Sequence, residues 1–340
     1  MPAPESFSAA HHWVLPFSAS LSEPCLHALP RLAAKGALPH LRQLLRQLQI
    51  TTKLEGDEYA LSMPHERVLG LAMGWLQSDG AVGTDGLMPW SAWWAAHDGV
   101  QLDPTRVWGL LSPGHWLMGR DHLTLLDPQT LGLSDDESRA LLEAVRDLFE
   151  TDGWTLQWGA ASRWYASYAS LAGLPTASLD RVIGRNPDVW LTDNPQARMI
   201  RRLQSEVQML LYQHPINDAR ESAGLATVNS FWLSGCGAVP DTVTLPDSVQ
   251  VVDDLRAPML ADDMPLWLEA WAHVDNTALK AACEALAAGR DVKLTLCGER
   301  HAVTLSRAAN VGLASRVWRS VKRLTGASPG PHHVDVLTAL

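Results

Sequence analysis

Apolar residues recur at helical spacing in several stretches. Leu41, Leu44, Leu45 and Leu48 predict a helix over 39–49. A second helix is predicted over 64–76, with Pro64 in its first turn and Gly74 near its end. Ser134-Asp135-Asp136-Glu137 reads as a capping box that opens a helix running to Phe149. Further helices are predicted over 196–212, 265–288 and 311–324. A short one over 218–223 ends at Gly224, a C′ glycine. Shorter apolar runs predict strands over 12–17, 106–111, 122–126, 154–158, 164–168, 230–233, 249–252 and 291–297. Residues 78–104 are rich in Gly, Trp and Asp and show little periodicity, and the stretch after Gly326 reads as a loose tail.

Alternation of short strands with longer helices predicts an α/β fold, a mostly parallel sheet with helices on both faces. Residues 1–98 and 195–325 are expected to build that core. The stretch 99–194 has strands with a single good helix, and is expected to be an inserted α+β lid over the carboxyl edge of the sheet.

Composition narrows the function. Lys plus Arg total 27 against 37 acids, a net charge of −10, so a nucleic-acid coat is not expected. No apolar stretch approaches the roughly 20 residues that span a bilayer, and no secretion signal is apparent in the opening residues. Cys25, Cys236, Cys283 and Cys297 are widely spaced without a CxxC pair, which suggests reduced, buried thiols in a cytoplasmic protein. The chain has 15 tryptophans against 4 Tyr and 4 Phe. Those between Trp75 and Trp116 suggest core and lid packing, stacking on a sugar or a base, or a contact face for a protein partner.

The densest polar constellation is His214-Pro215-Ile216-Asn217-Asp218-Ala219-Arg220, followed by Gly224-Leu225 and by Asn229 to Gly237. Asn217 and Arg220 have the donor geometry to hold a carboxylate or phosphate, and glycines after a strand let amides approach an anion. The same residues suit a sharp turn in which Asn and Arg bond main-chain carbonyls. Both readings stand at this level. His273 and Asp275 lie on a predicted helix, where a structural role is expected.

The pattern HPxNxxRxxxGLxxxNxxWLxGxG resembles that of archaeal-type cofactor-independent phosphoglycerate mutases, of the alkaline phosphatase superfamily. Taken over its whole length, the chain also resembles bacterial RpfE-type regulatory proteins. The resemblance implies an alkaline phosphatase-like core, two divalent ions (Mn or Mg) held by Asp and His, and a transiently phosphorylated serine. It places Ser62 near the nucleophile, with His65 beside it; a helix N-cap is the other reading of Ser62. Arg181 and Arg185 fall in a DRxxGR-like element and, with His214, Asn217, Arg220 and Asn229, become expected contacts to a small phosphorylated or carboxylated metabolite. Where that family carries Asp-Gly after its first strand, this chain has Phe17-Ser18-Ala19-Ser20. Its final Asp-His pair is replaced by Gly298-Glu299-Arg300-His301. Glu299 and His301 are the remaining ligand candidates, and Arg300 sets a positive charge between them. The expectation is a phosphoglycerate-mutase-like protein with a degenerate metal site and a regulatory role. The alternatives are a working mutase or phosphohydrolase with a rearranged site, and a protein-interaction module.

Overall fold

A computed structural model describes residues 10–34, 36–76, 85–119, 123–191, 195–307 and 333–340. The expected helix 311–324, with Arg316, Arg319, Lys322 and Arg323, lies outside the described residues, as do Asp121 and His122. In chain order the elements begin with β1 (His11–Leu15), α1 (Glu23–Leu32), α2 (Pro39–Gln47), β2 (Gln49–Leu54), α3 (Pro64–Ala72) and α4 (Trp90–His97). There follow β3 (Val107–Gly114), β4 (Trp116–Met118), β5 (Leu123–Leu125), α5 (Asp135–Thr151), β6 (Thr155–Ala160) and β7 (Arg163–Ser167). Next come α6 (Leu179–Val182), α7 (Ala197–Leu211), α8 (Pro215–Ser222), β8 (Ser230–Ala238), β9 (Val249–Val251) and α9 (Arg256–Leu260). The chain closes with α10 (Met264–Val274), α11 (Lys280–Ala287), β10 (Val292–Cys297), β11 (Ala302–Ser306) and α12 (His333–Thr338). Among the described residues no helix is long and apolar enough to cross a membrane.

The fold is mixed α/β, and the chain divides into two compact units. One contains residues 1–58, 64–68 and 246–340; the other contains 59–63 and 69–245. The division falls at other residues than the expected core of 1–98 with 195–325 and insertion of 99–194.

The first unit holds a five-stranded sheet in the order β2-β11-β10-β1-β9. β1 runs parallel to both β10 and β9, whereas β10–β11 and β11–β2 are antiparallel, so the sheet is mixed. Val14, Leu15, Leu294 and Leu296 are fully buried in it. On the same sheet His12 Nε2 lies 2.7 Å from Thr295 Oγ1, which lies 2.8 Å from Thr304 Oγ1. Burial, with Lys293 nearby, pushes the His12 pKa down from 6.5 to about 4. The unfolded chain therefore binds this proton more tightly than the folded one. Stability from this group is complete above pH 6.5 and is lost as pH falls to about 4, a difference of about 2–3 kcal/mol. Denaturant melts between pH 7 and 4 are expected to show that loss, and His12→Gln to flatten it.

The predicted 265–288 helix is found as α10 and α11 joined by a π-helical stretch, Asp275–Leu279. That irregularity has a visible use, as π-bulges often do. α2 has no side-chain cap of its own, and Leu38 before it sits at φ 45°. The Asp275 carboxylate supplies the cap: Oδ1 accepts from the Leu41 amide at 2.8 Å and Oδ2 from the His40 amide at 3.2 Å. His40 Nδ1 lies 2.9 Å from Oδ2. Asp275 is thus structural, as its helical position predicts.

The second unit is built on an antiparallel four-stranded sheet, β6-β7-β3-β8. The strand containing 230–233, expected in the parallel core, pairs instead along β3, from Ser230 opposite Gly114 to Ala238 opposite Val107. Seven of the eight β3 residues are buried, a run that demands a partner on each side. α5 and α7 join this sheet in one core around Leu141, Val145, Phe149, Leu203, Val207 and Phe231. The Ser134–Glu137 capping box forms as predicted. Trp158 and Trp164 both donate their indole N–H to Ser138 Oγ, at 3.1 and 2.9 Å. Among the described residues no tryptophan is exposed; Trp90 and Trp108 are buried, and Trp75, Trp93, Trp94 and Trp116 are half-buried. The broad apolar face that an interaction module would display between 75 and 116 is therefore not formed by tryptophan.

Candidate functional site

The motif from His214 to Gly237 lies within the second unit and folds into one cassette. His214 N-caps α8, Nδ1 accepting from the Ile216 amide at 3.3 Å. Asn217, 4% exposed, donates through Nδ2 to the carbonyls of Leu211 (2.8 Å) and Val228 (2.7 Å). Its Oδ1 accepts from the Val228 amide at 2.9 Å. One side chain therefore ties the end of α7, α8 and the start of β8 together. Gly224 stands at φ 72° just after α8, the left-handed position a C′ residue requires. Asn229 bridges to Trp116 in both directions: Oδ1 accepts its amide at 2.7 Å, and Nδ2 donates to its carbonyl at 3.0 Å.

Arg220, 2% exposed, completes the cassette. Nε donates to Ala226 O (2.9 Å), one terminal nitrogen to Leu131 O (2.5 Å), and the other to Glu137 Oε1 (3.0 Å). Glu137 also accepts from the Ser134 amide at 2.9 Å through its other oxygen. Its burial opposes ionisation, but the bonds from Ser134 and Arg220 outweigh that and hold its pKa below the ordinary range. The Arg220 fork is thus spent on two carbonyls and one carboxylate of the chain itself.

The glycines at the end of the motif do not cradle an anion. A Cβ at Gly235 (φ 60°) would meet Trp90 Cβ at 2.8 Å and the Ser91 amide nitrogen at 2.9 Å. One at Gly237 would meet Pro89 Cβ at 2.8 Å. The first turn of α4 fills the space over both residues. His214, Asn217, Arg220 and Asn229, expected as ligand contacts, bond groups of the chain itself and brace a turn.

Ser62 sits in the same unit and is 3% exposed. Its hydroxyl accepts from the Gly86 amide at 2.9 Å. Its amide donates to Asp85 Oδ1 at 2.8 Å, and Asp85 Oδ2 accepts from the Leu61 amide at 2.7 Å. Its carbonyl accepts from Arg181 at 3.3 Å. The hydroxyl thus helps hold a loop crossing. Arg181 is fully buried with its guanidinium 5.6 Å from the centre of the Trp190 ring; that of Arg185, half-buried, lies 5.9 Å from the same ring. Of the expected contacts, these two arginines are brought together. His65 is buried in the first unit, its ring 5.3 Å from that of Phe17.

Glu299 and His301 also belong to the first unit. Glu299 Oε2 accepts from Ser20 Oγ (3.1 Å) and the Leu21 amide (2.8 Å). His301 Nδ1 accepts from the Gly56 amide at 3.1 Å. Burial first, then the charges of Lys53 and Arg300, lowers the His301 pKa. Among the described residues no group of three or more His, Cys, Asp or Glu side chains is arranged to hold a metal ion. Of the two candidate ligands, Glu299 Oε2 and His301 Nδ1 are directed at the chain's own N–H and O–H groups. The four cysteines are free and buried, and burial raises each thiol pKa, to about 11 for Cys25 and Cys283 and about 12 for Cys236.

Sequence reasoning missed Asp85, the second role of Glu137 and the capping role of Asp275. The Ser-x-x-Glu spacing gave Glu137 its first role. Nothing local marks the second, because its partner is 83 residues away.

No family model matches the chain, and no curated protein matches it in sequence. Solved structures similar to it include a cofactor-independent phosphoglycerate mutase from Thermoplasma acidophilum, 13% identical, covering 89% of this chain and 91% of that one at a TM-score of 0.34. Another is a protein from Pyrococcus horikoshii, 10% identical, covering 89% of this chain and 88% of that one at a TM-score of 0.43.

Proposed function

We propose that this chain is a phosphoglycerate-mutase-like protein without the family's two-metal phosphoryl-transfer machinery, akin to the RpfE-type regulatory proteins, and that it binds a small phosphorylated or carboxylated metabolite. One observation carries the reading. The groups at the positions that would do the chemistry are engaged with the chain's own backbone: Ser62 with Gly86, Glu299 with Leu21, His301 with Gly56, and Arg220 with Leu131 and Ala226. Freeing Ser62 or Arg220 for a substrate leaves a buried main-chain group unsatisfied, at roughly 1–3 kcal/mol each. An alkaline phosphatase-like core and a regulatory role belong to this proposal.

The ligand contacts left to the proposal are Arg185 and, beside it, Arg181, on either approach to Trp190. A guanidinium beside an indole is placed by a cation–π contact, and its planar fork matches an oxyanion. The test is a thermal-shift titration with 3-phosphoglycerate, with and without manganese. Binding to the folded state raises the melting temperature once ligand exceeds its dissociation constant. The expected result is a manganese-independent rise that Arg185→Gln abolishes without lowering the ligand-free melting temperature. A rise that needs manganese, or one that Arg185→Gln leaves intact, contradicts the proposal.

A further inference from the structure

In the first unit the carboxyl ends of β1 and β10 lie side by side, Leu15 opposite Leu296. In open α/β sheets a crevice at such strand ends is where ligands bind. Here the chain leaves both strands and stays beside them. The Ser18 amide donates to Cys297 O at 2.8 Å, and Glu299 bonds Ser20 and Leu21. The place between is filled by a segment distant in sequence. Leu340 is 3% exposed, and its carbonyl oxygen accepts two consecutive amides, Arg300 at 3.2 Å and His301 at 2.8 Å. Val336 and Leu337, 4% and 1% exposed, anchor α12, which packs beside α1.

Two successive N–H groups converging on one oxygen form the kind of cradle that binds oxyanions. Arg300, half-buried, adds a charge, and its Nε is buried with no hydrogen-bond partner. Gly298 shows that the cradle is shaped around its occupant. A Cβ there would meet Leu340 Cβ at 2.4 Å, its carbonyl carbon at 2.8 Å and its oxygen at 2.9 Å, all atoms of Leu340. Its φ lies outside the left-handed region, so the contact with Leu340, and not backbone strain, opposes a side chain.

We propose that residues 333–340 are an intramolecular strap occupying an oxyanion cradle at the carboxyl end of β10, and that a small oxyanion competes with it for the Arg300 and His301 amides. This goes beyond the metabolite site proposed at Arg181 and Arg185, and does not depend on it. The strap holds the crevice closed in the absence of ligand, and its release exposes the Gly298–His301 turn.

The experiment is amide hydrogen exchange on the full chain and on two full-length variants that break the contact from opposite sides, Gly298→Ala and Leu337→Ser. Both are expected to speed exchange at Arg300 and His301 by about tenfold or more while the β10–β11 ladder stays protected. Inorganic phosphate added to Leu337→Ser is expected to slow exchange at those two amides again. Unchanged exchange there in both variants, or faster exchange throughout β10 and β11, overturns the strap. Phosphate that leaves the two amides of Leu337→Ser unprotected overturns the cradle.

Discussion

Arg220→Met is expected to lower the unfolding free energy by about 3–5 kcal/mol, read as a fall in the urea midpoint. The magnitude follows from what is left behind. Leu131 O and Ala226 O lose their donors inside the second unit, and the partly exposed Glu137 loses its guanidinium partner. A stranded buried carbonyl costs roughly 1–3 kcal/mol, and two are left. Arg220→Lys is expected to recover little, because an ammonium cannot serve three acceptors spread around a planar fork. The Glu137 pKa is expected to rise in either variant, since Arg220 is among the groups that hold it down. If Arg220 were a ligand contact instead, its removal would weaken binding and leave the midpoint near that of the parent protein.

Asp275→Ala is expected to cost about 2–4 kcal/mol in the same measurement. Its carboxylate, 1% exposed, accepts two amides at the start of α2 and the His40 ring, and α2 has no other side-chain cap. Loss of a cap alone is worth about 1 kcal/mol, and burial of the stranded amides adds to it. Asp275→Asn keeps one acceptor oxygen and is expected to fall between the parent and the alanine variant. A change in midpoint no larger than that of an exposed surface substitution would contradict the capping role.

Local signals in the sequence were sufficient where the physics is local. The leucine spacing of α2, the capping box of α5 and the C′ glycine of α8 are each decided within one or two turns, and all three are found in the fold. What failed depends on partners far along the chain. The strand at 230–233 shows as a strand, but whether it joins parallel or antiparallel neighbours is decided by β3, more than a hundred residues earlier. Gly235 and Gly237 look alike whether they admit an anion or a helix; Pro89, Trp90 and Ser91 settle which, and no spacing rule reaches them. For Asn217 and Arg220 the sequence held both the ligand-fork and the braced-turn reading, and the hydrogen bonds found are those of a braced turn. The lack of an Asp at 17–20 and of an Asp-His pair at 298–301 is legible in the sequence. The use made of that turn was not, because the segment seated on it lies some forty residues further on.

The Ser62 hydroxyl, the Glu299 carboxylate and the His301 imidazole all bond main-chain amides, and the proposal is that they hold no pair of cations. Equilibrium dialysis of the full chain against manganese, with isomerisation of 3-phosphoglycerate measured on the same sample, tests this most directly. The expected result is no stoichiometric manganese at micromolar free metal and no metal-dependent turnover, alike for the parent chain and for Ser62→Ala. Two manganese ions per chain, with turnover that disappears in Ser62→Ala, would contradict it.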